Sequence, residues 1–262
     1  MPSGAADLLP IVRHRWPSML RILTLNIRHG GGRRVGSIAE VVKSLSPDTV
    51  VLTEYRNSAL GDALRSALRL EGWKHQVASP TGERVNGVLV AARYQLSLGH
   101  TVVSAAAWER DRSLVVRSEP CIVVAVYFPP EPKKIRSWER LLVTARALAQ
   151  EPVLLIGDFN TGKHYLDEAG ATFIGPEYLE RLEGIGYVDA WRALNPTGRE
   201  YTWFSSAGNG FRLDYAFLSP ALAPTLLDAR HIAWPRLLGI TDHSALIVEL
   251  QLPAANRCTA LE

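Results

Sequence analysis

The 262-residue sequence has two cysteines, no long apolar run and no strong excess of either charge, and each scarcity closes off a class of protein. Cys121, inside an apolar strand-like segment, and Cys258, in the tail, have neither the spacing of a zinc site nor the density of a disulfide scaffold. They suit a reducing compartment. No stretch approaches the ~20 apolar residues of a membrane span. The opening MPSGAADLLPIVRHRWPSM has no signal-like apolar core, so a cytoplasmic protein with no membrane contact is expected. Repeats, low-complexity tracts and Ser/Gly/Pro linkers are also missing. A single domain over 19–252 follows, with 1–18 as an N-terminal extension and 253–262 as a C-terminal tail. The net charge of +3 permits an anionic partner without requiring one.

What is present is apolar content, 47% of residues, enough for a large core. Short Val/Leu-rich runs predict strands at Leu20 to Asn26, Thr49 to Glu54, Asn86 to Arg93, Ser113 to Arg117, Cys121 to Phe128, Val153 to Asp158, Arg212 to Leu218 and Ala245 to Leu250. Helical periodicity occupies Val35 to Leu45, Ser58 to Leu70, Lys134 to Ala149 and Pro176 to Glu183. Several strands succeed one another without a helix between them. One doubly wound sheet therefore fits poorly, and two packed sheets with helices outside fit better.

The ends of these strands are polar. LRILTLNIR closes on Asn26, DTVVLTEYR on Glu54, VVAVYFPP on Tyr127 and VLLIGDFN on Asp158 and Asn160. FRLDYAFLS carries Asp214 inside its strand, and TDHSALIVEL opens on Asp242 and His243. Any one of these is an ordinary turn residue. Asp214 is the exception, because a buried carboxylate costs several kcal/mol without a partner. Arg212, His243 or a metal would each serve. RHGGGRR, residues 28–34, follows the first strand with four cations around three glycines: Arg28, His29, Arg33 and Arg34. A mobile loop that grips phosphate is one reading of it, and solvated surface the other. Lys133, Lys134 and Arg136 read as the exposed start of a helix.

Taken in order, TLNIR, LTEYR, NGVLVAAR, YFPP, IGDFN, FRLDYAFLS and TDHSAL resemble the motifs of the endonuclease/exonuclease/phosphatase superfamily, within it the exonuclease III and apurinic endonuclease branch. The resemblance covers about Leu20 to Leu250. It implies a four-layer α/β/β/α sandwich of two mixed sheets flanked by helices, and hydrolysis of phosphate esters with Mg²⁺ or Mn²⁺. By the same resemblance Glu54 would be the principal metal ligand, helped by Asn26 and Asp242. Asp158 would handle a proton of water or the leaving oxygen, Asn160 would orient it, and His243, held by Asp214, would donate to the phosphoryl oxygen. Tyr127 would lie beside the phosphate or leaving group.

A tyrosine at 127 favours the exonuclease III-like branch, and Trp203, Phe211 and Leu213 are similar in place to the residues walling an abasic-sugar pocket. Arg28, Arg33, Arg34 and Arg212 complete the expected substrate-binding set. The implied partner is DNA, as a duplex with an abasic site or a 3′ end, and the implied state is a monomer. A phosphatase or phosphodiesterase of a nucleotide, lipid head group or inositol phosphate shares the same residues, as would a non-catalytic binding member.

Overall fold

In the computed structural model, residues 18–98, 113–118, 121–130 and 133–251 are described. The apolar runs become strands buried on both faces, which is why they read as continuous hydrophobic segments rather than alternating ones. They are β1 (Met19–Asn26), β2 (Thr49–Tyr55), β4 (Gly87–Ala92), β6 (Leu114–Ser118), β7 (Cys121–Tyr127), β8 (Val153–Asp158), β12 (Asp214–Leu218) and β14 (Ala245–Gln251). Short or polar strands join their margins: β3 (His75–Ala78), β5 (Ser97–Leu98), β9 (Val188–Asp189) and β13 (Leu226–Ile232).

The first sheet runs β13-β14-β1-β2-β4-β3 and the second β5-β6-β7-β8-β12-β9. Each is mixed, since β1 pairs parallel with β2 and β7 parallel with β8 while the other pairs are antiparallel. Residues such as Ile22, Val90, Val123, Ile156 and Leu246 fill the seam between the sheets. Helices α1 (Val35–Leu45) and α2 (Ala59–Leu70) cover the outside of the first sheet, and α3 (Lys134–Ala147) and α4 (Glu177–Glu183) the outside of the second. The four-layer sandwich is the expected one. Cys121 lies in the core, where burial pushes its thiol up to about 12. Residues 1–17 of the expected extension, Cys258 and the tail at 253–262 lie outside the described residues.

Two expectations need correcting. The strand anticipated from Arg212 begins at Asp214, and Arg212 is no surface cation. Its guanidinium is fully buried, donating from Nε to Asp167 Oδ1 at 2.7 Å and from Nη2 to Asp189 Oδ2 at 2.7 Å, over the Tyr215 ring at 4.1 Å. The Tyr215 hydroxyl donates to Asp167 Oδ2 at 2.9 Å. This cluster fastens the 161–175 segment and the short helix α5 (Ala190–Leu194), whose Arg192 also reaches Asp167, to the start of β12. Arg212 cannot meet a substrate; it fixes the position of Asp214 two residues on.

Burial opposes ionisation of Asp167, but the Arg212 guanidinium overrides it and holds the carboxyl below its usual range. A carboxyl depressed in the folded state stabilises above its unfolded value and stops doing so as pH falls through the folded one. Asp167→Asn should therefore cost roughly 3–5 kcal/mol near neutrality, as a broken buried ion pair does. The gap from the parent should close as pH drops below about 4. Urea unfolding of both proteins at several pH values measures it, and a gap constant with pH would refute the charge assignment.

Candidate active site

The strand tips of both sheets meet at one end of the seam. Asn26, at the end of β1 and buried, donates from Nδ2 to Asp158 Oδ2 at 2.9 Å and to Glu54 Oε1 at 3.3 Å. A residue of the first sheet thus bridges to the second. Glu54 reaches this point because β2 slips register between Thr53 and Tyr55, with Glu54 at φ 57°. A bulge of this kind re-aims one side chain, and a left-handed non-glycine residue costs on the order of 1–3 kcal/mol. Gly157 does the corresponding work in β8. A Cβ there would stand 2.0 Å from the Val126 carbonyl oxygen, so only glycine lets β7 and β8 close up directly before Asp158.

Asp158 and Asp214 are direct partners across β8 and β12, both buried. Like charges in that relation repel. Burial and then the Asp214 carboxylate push Asp158 up to about 7, against the pull of the His243 imidazole and the Asn160 N–H. His243 resolves the pairing, with Nδ1 against Asp214 Oδ2 at 2.8 Å. Burial alone would lower its pKa, but Asp214 outweighs that and raises it to about 9, so the ring is an imidazolium at neutral pH. The expected Asp214–His243 pair is present, and among the partners open to Asp214 it is His243 rather than Arg212.

Asn160 also sits at positive φ, 47°, with its amide donating to the Phe128 carbonyl at 2.7 Å and to Asp158 Oδ2 at 3.3 Å. It orients the carboxylate itself. Lys134, expected on the surface, is buried instead and donates from Nζ to the Asn160 carbonyl at 2.6 Å. The first residue of α3 therefore braces the Asp158–Asn160 corner. The Tyr127 hydroxyl reaches Glu54 Oε1 at 3.5 Å and accepts from Asn86 Nδ2 at 3.2 Å.

The 28–34 segment is a folded turn, not a loose loop. Arg28, His29, Gly30, Gly31 and Gly32 all have positive φ, from 52° to 75°. Gly30 N–H donates to the Glu54 carbonyl at 2.8 Å, and His29 N–H to Glu54 Oε2 at 2.7 Å. The His29 ring adds a contact from Nδ1 to Glu54 Oε2 at 3.1 Å. Arg28 stands 3.6 Å from Asp242. Arg34 donates to the carbonyls of Ile240 and Arg28 at 2.7 and 2.9 Å, which makes it a brace. Arg33 is exposed and pairs with no acidic group among the described residues.

Trp203 and Phe211 face each other on the hairpin of β10 (Trp203–Phe204) and β11 (Gly210–Phe211), with ring centroids 5.8 Å apart. Phe173 packs on Phe211 at 5.6 Å and Leu213 is buried beside them in sequence. His29 as a partner of Glu54, Asn86, Lys134 and Phe173 were not singled out as site residues from the sequence. Asn86 and His29 stood inside quoted motifs, NGVLVAAR and RHGGGRR, but nothing local tells an amide before a strand, or a histidine in a glycine turn, from ordinary turn chemistry.

The donors suit a hard divalent cation. Glu54 Oε1 has only long contacts, at 3.3 and 3.5 Å, Asp242 is half-exposed, and Asp214 Oδ1 is buried with no hydrogen-bond partner. Carboxylates with unmet acceptor capacity, gathered in an apolar seam, are what Mg²⁺-type ions require. Asp158, Asp214 and His243 also bring ligand-type atoms within 4.8 Å of one another. His243 already engages Asp214 through Nδ1, however, so the oxygen set around Glu54 is the better match for such an ion.

Similarity to known proteins agrees with this geometry. Recombination repair protein 1 of Drosophila melanogaster is 26% identical over an alignment of 161 residues that covers 52% of this chain and 23% of that protein. The match thus spans under a quarter of that relative. A 3′ phosphatase, NExo, from Neisseria bound to product DNA hairpin superposes with a TM-score of 0.75 at 24% identity, covering 89% of this chain and all of its own. An AP endonuclease from Archaeoglobus fulgidus gives 0.75 at 22% identity with the same coverage, 89% and 100%. At such identities these likenesses speak to the fold. The sequence pattern of the Endonuclease/Exonuclease/phosphatase family matches residues 23–243, a span that holds every strand-end residue from Asn26 to His243. The chain therefore belongs to that family.

Proposed function

We propose that this protein is a Mg²⁺- or Mn²⁺-dependent nuclease acting on DNA, cutting at abasic sites or processing 3′ ends. The observation that carries the reading is the convergence of Glu54, Asp158 and the Asp214–His243 pair on one seam, and the Trp203–Phe211 hairpin, tied to the strand of Asp214 by the bond from Leu213 N–H to Thr202 Oγ1 at 2.9 Å, would supply an apolar surface beside it. A sugar without its base fits a small apolar recess that a full nucleotide does not. A related 3′ phosphatase with product DNA and an AP endonuclease share the fold, which supports the same choice of substrate.

Glu54 would hold the cation, with Asn26 and Asp242 beside it. Bound there, the ion would neutralise the phosphate and polarise its P–O bonds. Asp158, raised to about 7, accepts a proton from the attacking water. Asn160 keeps that carboxylate turned towards the seam, through bonds of 3.0 and 3.3 Å. The His243 imidazolium donates to the phosphoryl oxygen as charge grows on it, an interaction strongest in the transition state. Asp214 keeps the ring in place. Tyr127, at 3.5 Å from Glu54, would stand beside the phosphate.

End-labelled duplexes, one intact, one with a single abasic analogue and one with a recessed 3′ end, test this in Mg²⁺, Mn²⁺ or EDTA. The expected result is a metal-dependent cut 5′ to the abasic analogue or a ladder from the 3′ end. Asp158→Asn should slow it roughly a thousandfold, the scale of a lost proton acceptor. Intact DNA alongside turnover of a small phosphate ester would remove the nuclease reading. Lys134→Met examines the brace. Its kcat should fall roughly ten- to a hundredfold with KM little changed, as for other groups that orient a reacting side chain. Lys134→Arg should recover part of the loss, and an equal rise in KM would argue against a positioning role.

A further inference from the structure

One wall of the site is made by the β10–β11 hairpin and helix α6 (Trp234–Leu237). They are joined where Ser244 N–H donates to the Thr202 carbonyl at 2.8 Å, where Arg236 Nε donates to Ser244 Oγ at 3.2 Å, and where the Arg236 guanidinium lies 4.5 Å over the Phe204 ring. The outer end of this wall carries Leu237 and Leu238, 71% and 69% exposed, with Phe204 at 40%. Of the large apolar side chains described, only Leu70, at the end of α2, is more exposed.

The leucines are not on a loose segment. Leu237 and Leu238 N–H groups donate to Ala233 and Trp234 at 3.0 and 2.9 Å, and Ile240 N–H to Pro235 at 2.9 Å. Gly239, at φ 69°, reverses the chain, and Arg34 clamps the Ile240 carbonyl at 2.7 Å from the other side. The turn then continues directly into Thr241, whose Oγ1 donates to the Asn26 carbonyl at 2.6 Å, and into Asp242 and His243. Two exposed leucines on a hydrogen-bonded turn, five and four residues before Asp242, are preorganised for a ligand.

The surroundings identify its chemistry. Arg236 belongs to the same turn, and Arg28 and Arg33 are exposed on the neighbouring 28–34 turn. Three apolar side chains are too few for a stable protein interface. Flat apolar faces beside a row of anions are what an unpaired nucleotide offers, its base against the leucines and its phosphates towards the arginines. We propose that Leu237, Leu238 and Phe204 form a ridge that supports an unpaired base next to the phosphate being cut. The proposal rests on the DNA reading above and adds that frayed or locally unpaired substrates are preferred.

The test uses the full chain and a Leu237→Ser/Leu238→Ser double variant, with Phe204→Ala as an independent second variant. Anisotropy in EDTA measures binding to a fully paired duplex and to one with a frayed 3′ end, and kcat/KM is measured on both and on bis-p-nitrophenyl phosphate. The ridge predicts roughly five- to tenfold weaker binding and turnover of the frayed duplex. The paired duplex should change less than twofold and the small ester not at all. Equal losses on every substrate, or none on the frayed one, overturn the ridge while wild-type DNA cleavage leaves the nuclease reading standing. Loss of binding to phosphatidylserine vesicles in place of DNA would assign the leucines to a lipid surface and overturn it too. A wild-type protein that turns over the small ester but neither binds nor cuts any DNA defeats the nuclease reading itself, and the ridge with it.

Discussion

A single amide nitrogen, Nδ2 of Asn26, lies between the carboxylates of Glu54 and Asp158, and the site depends on the crowding of charge it mediates. Two β-sheets with apolar inner faces must meet, yet at one end of their seam the chain places Glu54, Asp158, Asp214 and Asp242. Isolated carboxylates there would be prohibitively costly. The cost is met locally: Asn26 and Asn160 donate to Asp158, His29 N–H donates to Glu54, and His243 faces Asp214. Even so, burial and then the Asp214 carboxylate raise Asp158 to about 7, so its negative charge is not fully compensated. A divalent cation held beside Glu54, as proposed, would offset that charge.

Holding so many acceptors in one place demands backbone conformations that side chains normally avoid. Among the described residues six non-glycines have positive φ, and Arg28, His29, Glu54 and Asn160 all belong to this site. Such strain persists only where the frame over-determines it. The frame is identifiable here: Lys134 under Asn160, Arg34 across the 28–34 turn, and the buried Arg212 cluster behind Asp214. Each is a cation facing carbonyls or carboxylates of the chain itself. Basic residues expected from the sequence on the substrate or, for Lys134, on the surface thus divide into braces, Arg34, Lys134 and Arg212, and the exposed Arg28 and Arg33.

That division explains what could be read without coordinates. The central strands were legible because both of their faces are buried, and the tip residues because an ordered series of polar ends has no purpose in packing. β3, β5, β9 and β13 were not anticipated, and all four are sheet edges. An edge strand buries less, so LLDARHI in β13 can carry Asp228 and Arg230 without an apolar signature. Arg212 misled for the opposite reason. Its partners Asp167 and Asp189 are 45 and 23 residues away in the chain, and no local pattern distinguishes a cation that turns inward to meet them. Burial of Lys134 depends in the same way on Asn160, 26 residues on.

The residues proposed to perform chemistry and those proposed to select a substrate consequently obey different physics. Asp158, Asn160, Asp214 and His243 sit on strand ends or immediately beyond them, fixed by register and by buried hydrogen bonds, and a shift of one residue would point their side chains to the wrong face. Trp203, Phe211, Leu237 and Leu238 sit on a two-stranded hairpin and on, or just after, a one-turn helix, outside both six-stranded sheets. Changing them leaves the strand register untouched. A fold arranged this way can keep one centre while altering which phosphate ester reaches it, and the proposed DNA reading locates that choice in the Trp203–Phe211 hairpin and the leucine turn.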